Sequence, residues 1–140
     1  MYWFNQQARQ HRRVCKTFQR MGLRFDVISN YRFNWLVKFD QKLNVQCTIR
    51  GRYVLFVGDP DIGFVPRQFP TSFLAQLLIR NAEVPMGAWQ LDEAGGRVWC
   101  NFGLSIPYTN FTIPIVKHSL ELLLAETHRV ALRYRQLGTI

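Results

Sequence analysis

From Thr112 to Leu137 a mainly apolar seam steps by four and three throughout: Val116, Leu120, Leu123, Thr127, Val130, Tyr134 and Leu137. That spacing predicts one helix of about seven turns. Pro114 falls in its first turn, where a missing N–H is harmless. Leu122, Leu124 and Ala131 widen the apolar stripe, so the helix needs cover on more than one side. A sheet can supply one side. A second copy of the chain can supply another, which makes Val116, Leu120, Leu123, Val130 and Tyr134 the expected dimer interface.

The rest of the chain supplies the sheet. A first helix is predicted from Phe4 to Met21, with Phe4, Ala8, His11, Cys15 and Phe18 on one face and Gly22 as its stop. Period-two alternation then predicts strands over Tyr31–Asp40, Leu43–Ile49 and Tyr53–Val57, joined as a meander with a tight turn at Gly51. Asp59 to Pro70 reads as a loop. A second helix fits Thr71 to Glu83, capped by Thr71 or Ser72, with Phe73, Leu74, Leu77, Leu78 and Ala82 facing inward. Ala88–Asp92 and Arg97–Ile106 form a hairpin around Glu93-Ala94-Gly95-Gly96. The order is α-βββ-α-ββ-α, a two-layer α+β fold with helices packed on an antiparallel sheet. The 140 residues fit a single domain spanning 1–140.

Charge is unevenly placed. The formal net charge is +9, and residues 1–52 hold eleven Lys or Arg against Asp26 and Asp40, which is the whole excess. Arg9, Arg12, Arg13, Lys16 and Arg20 fall within about 100° of arc on the first helix, opposite its apolar face. Such a stripe is either a solvated face or the contact for an acidic partner: an acidic protein, a nucleic acid or an anionic membrane. Single-strand binding would also need aromatic platforms, for which Tyr31, Phe33 and Trp35 are candidates. Trp35, Trp89 and Trp99 are candidate anchors for a protein partner, although each also suits a core.

The sequence carries no recognised catalytic motif. GxxxxGK[ST], GxGxxG and GxSxG are all missing. Asp59-Pro60-Asp61-Ile62-Gly63 lacks the further oxygens of a calcium loop. His118 and His128 stand about 15 Å apart along one helix and cannot share a metal ion. Cys15, Cys47 and Cys100 are an odd number without a CxxC pair and read as free thiols of a reducing cytoplasm. There is no signal-like h-region and no apolar run of membrane-spanning length. No cofactor, metal site or catalytic residue is expected.

The segment Leu77-Leu78-Ile79-Arg80-Asn81-Ala82-Glu83, running into Gly87-Ala88-Trp89-Gln90-Leu91-Asp92, resembles the YbjN-like bacterial family. So do Gly96-Arg97-Val98-Trp99, Leu104-Ser105-Ile106 and the Leu-rich helix 116–137. The element order is similar to that of the type III secretion chaperones, the Tir-chaperone-like fold. The resemblance covers about residues 70–137. It implies a dimer that binds other polypeptides and has no catalysis. The expectation is thus a cytoplasmic bacterial homodimer of chaperone or adaptor type. Arg9, Arg12, Arg13, Lys16, Arg20, Trp35 and Trp89 would contact its partner. A nucleic-acid-binding module using the same stripe is the alternative.

Overall fold

The computed structural model describes residues 2–29, 34–40, 43–68 and 70–137. Helix α1 (Tyr2–Arg20) leads into strands β1 (Arg24–Ser29), β2 (Asn34–Asp40), β3 (Leu43–Arg50), β4 (Tyr53–Gly58) and the short β5 (Gly63–Phe64). Helix α2 (Thr71–Glu83), strands β6 (Ala88–Ala94) and β7 (Arg97–Pro107) and helix α3 (Ile113–Leu137) complete the chain. The strands bond in the order β1-β2-β3-β4-β7-β5, with β6 also on β7. The result is the expected α+β fold of helices on an antiparallel sheet.

Two strands were not visible in the periodicity. Five strands precede α2, where the alternation predicts three. β1 carries a weak apolar signal: Phe25 is half-buried and Val27 is exposed. Its ladder to β2, with Phe25 opposite Val37 and Val27 opposite Trp35, holds it in place. β5 is two residues long and rests on β7, Gly63 opposite Trp99 and Phe64 opposite Val98. The expected strand from Tyr31 begins at Asn34; Tyr31 and Phe33 lie outside the described residues. The β6–β7 turn forms where expected. Gly95 and Gly96 have φ of +61° and +75°, the left-handed pair that a two-residue hairpin loop requires.

The chain packs as two compact units, Met1–Phe56 with Ser105–Leu120, and Val57–Leu104 with Glu121–Ile140. In the first, Val14 and Phe18 of α1 are fully buried, flanked by half-buried His11 and Cys15. These four stand at i, i+3, i+4 and i+7, one face of the helix. Phe18 contacts Phe25, Phe56 and Phe111, with ring centroids 5.5, 6.3 and 6.2 Å away. Phe56 and Phe111 stack at 6.3 Å. In the second unit Phe64, Phe73 and Tyr134 form a triangle with centroids 5.4 to 5.8 Å apart. Cys100, Phe102 and Leu104 of β7 point inward beside Trp89.

Three expectations are corrected here. Val116 and Leu120 in the first unit, and Leu123 and Val130 in the second, are at most 6% exposed. Tyr134 is half-buried against Phe64 and Phe73. The seam predicted for a dimer is thus covered by the protein's own chain. A heptad-like pattern records that a helix face is covered, not which chain covers it. On α2 only Phe73 and Leu77 are fully buried, whereas Leu78 is 62% exposed and Ala82 is exposed as well. Its N-cap is Pro70, whose carbonyl accepts from the Phe73 and Leu74 amides, rather than a Thr71 or Ser72 side chain.

Candidate functional site

The basic stripe of α1 lines a groove of about 770 Å³ in the first unit. Arg9, Arg12, Arg13, Lys16 and Arg20 are all exposed along it, so the helical period places all five as expected. The facing wall was not foreseen. It is Phe111 and Thr112, which lead into α3, with Ile113 and Pro114 of its first turn. Ile113 is 38% exposed and Pro114 beside it is exposed too, so a short apolar edge borders the cations.

Arg13 is held in this arrangement. Its Nη2 donates to the Phe111 carbonyl at 3.2 Å, and its guanidinium lies 4.8 Å over the Tyr108 ring. The contacts fix one cation of the stripe, and a planar cation on an aromatic face gains electrostatic attraction from the ring. Beneath it, the buried Thr17 hydroxyl donates to the Arg13 carbonyl at 2.9 Å.

The charge of the whole chain sits on this unit. By sequence the first unit holds twelve Lys or Arg against Asp26 and Asp40, net +10, while the second holds six against seven acids, net −1. No acid stands in the first turn of α3, so the positive end of that helix dipole adds to the field of the groove. An exposed ion pair contributes only about 0–1 kcal/mol. A field of this sign selects partners and speeds encounter more than it adds affinity.

Trp89 is not a surface anchor. It is 5% exposed, and its indole N–H donates to Glu126 at 2.9 Å. Arg80 grips the same carboxylate through Nε at 2.9 Å and Nη2 at 2.6 Å, and reaches Glu83 at 2.8 Å. Asn81 behaves as an extra strand residue: its amide donates to the Trp89 carbonyl at 3.0 Å, and its oxygen accepts the Trp89 backbone N–H. The residues that carried the family resemblance are therefore a packing device joining α2, β6 and α3. Trp99 is half-buried and donates its indole N–H to the Ala94 carbonyl. Trp35 pairs through its backbone with Val27 and Cys47, and its side chain lies outside the described residues.

The remaining polar residues have structural surroundings. Asp61 donates its backbone N–H to Asp59 Oδ1 at 2.8 Å, closing the Asp59–Gly63 loop as a turn. Burial pushes the Cys47 thiol well up, and burial with the nearby Asp59 charge pushes Cys100 up to about 11. Cys15 lies 3.8 Å from His11 Nε2 on α1. Among the described residues no group of three or more His, Cys, Asp or Glu is placed to hold a metal ion, and no helix is long and apolar enough to cross a membrane.

No family model and no curated protein matches the chain. Solved structures do match it, at low identity. YbjN from E. coli superposes with a TM-score of 0.70 at 12% identity, over 91% of this chain and 92% of that one. A chain of the HopA1–SchA chaperone–effector complex gives 0.63 at 14% identity, over 83% and 88%. A chain of the heterodimeric ExoU–SpcU complex, from the type III secretion system of Pseudomonas aeruginosa, gives 0.62 at 16%, over 83% and 93%. The protein has the fold of these structures. The resemblance read from its sequence is met at that level.

Proposed function

We propose that this protein is a non-catalytic binding protein of chaperone or adaptor type. It holds a segment of another polypeptide, and the basic groove on α1 favours acidic segments. The observation that carries this reading is the groove itself, with five exposed cations beside the exposed Ile113 and Pro114. Similar folds in the HopA1–SchA chaperone–effector complex and in the heterodimeric ExoU–SpcU complex support it. An acidic peptide with apolar residues matches both parts: carboxylates meet the cations, and an apolar side chain covers Ile113 and Pro114. A single nucleic-acid strand is matched less well, because among the described residues the aromatic lining the groove, Phe111, is buried, and Ile113 and Pro114 offer no stacking platform. Cys15, Cys47 and Cys100 form no disulfide, which suits a reducing cytoplasm.

Fluorescence anisotropy with a labelled peptide of alternating glutamate and leucine tests the reading. Binding should weaken with salt and by about tenfold on Arg12→Glu/Arg13→Glu. Preference for a single-stranded oligonucleotide of equal charge would move the assignment to nucleic acid. Equal binding by the parent and the charge-reversed variant would remove the groove from the account.

A further inference from the structure

The second unit has a groove of its own, formed by α2 and α3 and holding about 250 Å³. Its lining includes Phe73, Leu77 and Val130, all buried, and Ile79, which is 57% exposed. One wall is pinned, because Arg80 is tied to both Glu83 and Glu126. Arg129 and Arg133 line it from α3 and are both exposed. They stand one helical turn apart, about 6 Å in rise.

Size and charge together narrow the occupant. The groove is smaller than the roughly 300–1,000 Å³ of sites that enclose a small-molecule ligand. It suits one large apolar side chain. Arg80, Arg129 and Arg133 stand against Glu83 and Glu126, which leaves one positive charge in surplus around the groove, carried by the exposed Arg129 and Arg133. We propose that this groove anchors an acidic peptide, taking one leucine- or phenylalanine-sized side chain between α2 and α3 while neighbouring carboxylates meet Arg129 and Arg133. Burial of the side chain supplies the hold, and the carboxylates supply the choice of partner. This site uses none of the α1 residues, so it stands or falls apart from the groove on the first unit.

The test uses the full chain carrying Arg12→Glu/Arg13→Glu, which suppresses binding at α1. The probe is a short fluorescein-labelled peptide with one phenylalanine among glutamates. Saturable binding is expected, weakened about tenfold by Arg129→Glu/Arg133→Glu and similarly by glycine in place of the phenylalanine. Ile79→Glu should weaken it as well, and that position is exposed enough to leave the fold intact. Three results overturn the proposal. One is no saturable binding up to millimolar peptide. Another is binding indifferent to Arg129, Arg133 and Ile79. The third is self-association abolished by Arg129→Glu/Arg133→Glu without peptide binding, which would assign the groove to a second copy of the chain.

Discussion

Replacing Glu126 with alanine should cost more stability than almost any other single change outside the apolar core. Its side chain is 6% exposed and receives three hydrogen bonds, two from Arg80 and one from the Trp89 indole. Breaking a buried ion pair by removing one partner costs about 3–5 kcal/mol. An indole N–H left without an acceptor costs about 1–3 kcal/mol. The two losses overlap and do not add. Arg80 keeps Glu83 at 2.8 Å and is 19% exposed, so part of its charge is still paired or hydrated. We expect about 3 kcal/mol for Glu126→Ala, and about 1–2 kcal/mol for Glu126→Gln, whose amide oxygen can still accept from Trp89. At about 3 °C per kcal/mol for a chain of this length, the alanine variant should melt roughly 9 °C lower.

The acid limb gives a second readout. Burial alone would raise the Glu126 pKa. Hydrogen bonds from Arg80 and Trp89, with the charges of Arg80 and Arg129, outweigh it and hold the carboxyl below its usual value. A carboxyl lowered by folding contributes stability that is full above its unfolded pKa, near 4.3, and lost as pH falls through its folded value. The gap between the parent and Glu126→Gln should therefore be constant near neutrality and narrow below about pH 4. Thermal melts by circular dichroism, with urea titrations followed by tryptophan fluorescence, measure both. A loss under about 1 kcal/mol for Glu126→Ala would refute the reasoning, since a pair screened by water behaves that way.

Leu123→Ala tests whether the α3 seam is internal: stability should fall by about 2–5 kcal/mol while the sedimentation coefficient of the folded protein is unchanged. A variant that kept its stability and lost a dimer would contradict the packing. Thiol labelling with a disulfide reagent at pH 8 should modify Cys15 first, because Cys47 and Cys100 are buried and both thiols are raised. Labelling of Cys100 at the rate of Cys15 would show that the second unit opens readily.

Much of the fold was legible in the sequence because it rests on local periodicity. The three helices, the β3–β4 turn and the β6–β7 hairpin all follow from apolar spacing and turn glycines. β1 left only a short trace, because the alternation of Arg24-Phe25-Asp26-Val27 spans four residues and just Phe25 packs on the core, at Phe18, while its pairing with β2 leaves no mark in a single strand. The α3 seam was read as apolar and was, yet its cover came from within the chain. Glu126 looked like one more helix acid; its partners are 46 residues away at Arg80 and 37 away at Trp89. Partnerships at that separation depend on packing that no local pattern encodes. The cations of the groove were legible for the opposite reason. They lie on one helix, so the 100° step places them together, whereas the wall at Phe111 to Pro114 arrives from 98 residues beyond Arg13.

The central claim is that the α1 groove holds an acidic polypeptide. Amide hydrogen exchange on the full chain, with and without the glutamate–leucine peptide, tests it most directly. The account predicts added protection confined to the stretch around Arg9–Arg20 and to Phe111–Val116, lost at high salt and absent in Arg12→Glu/Arg13→Glu. Binding that leaves both stretches unprotected, or protection that survives the charge reversal, would contradict it.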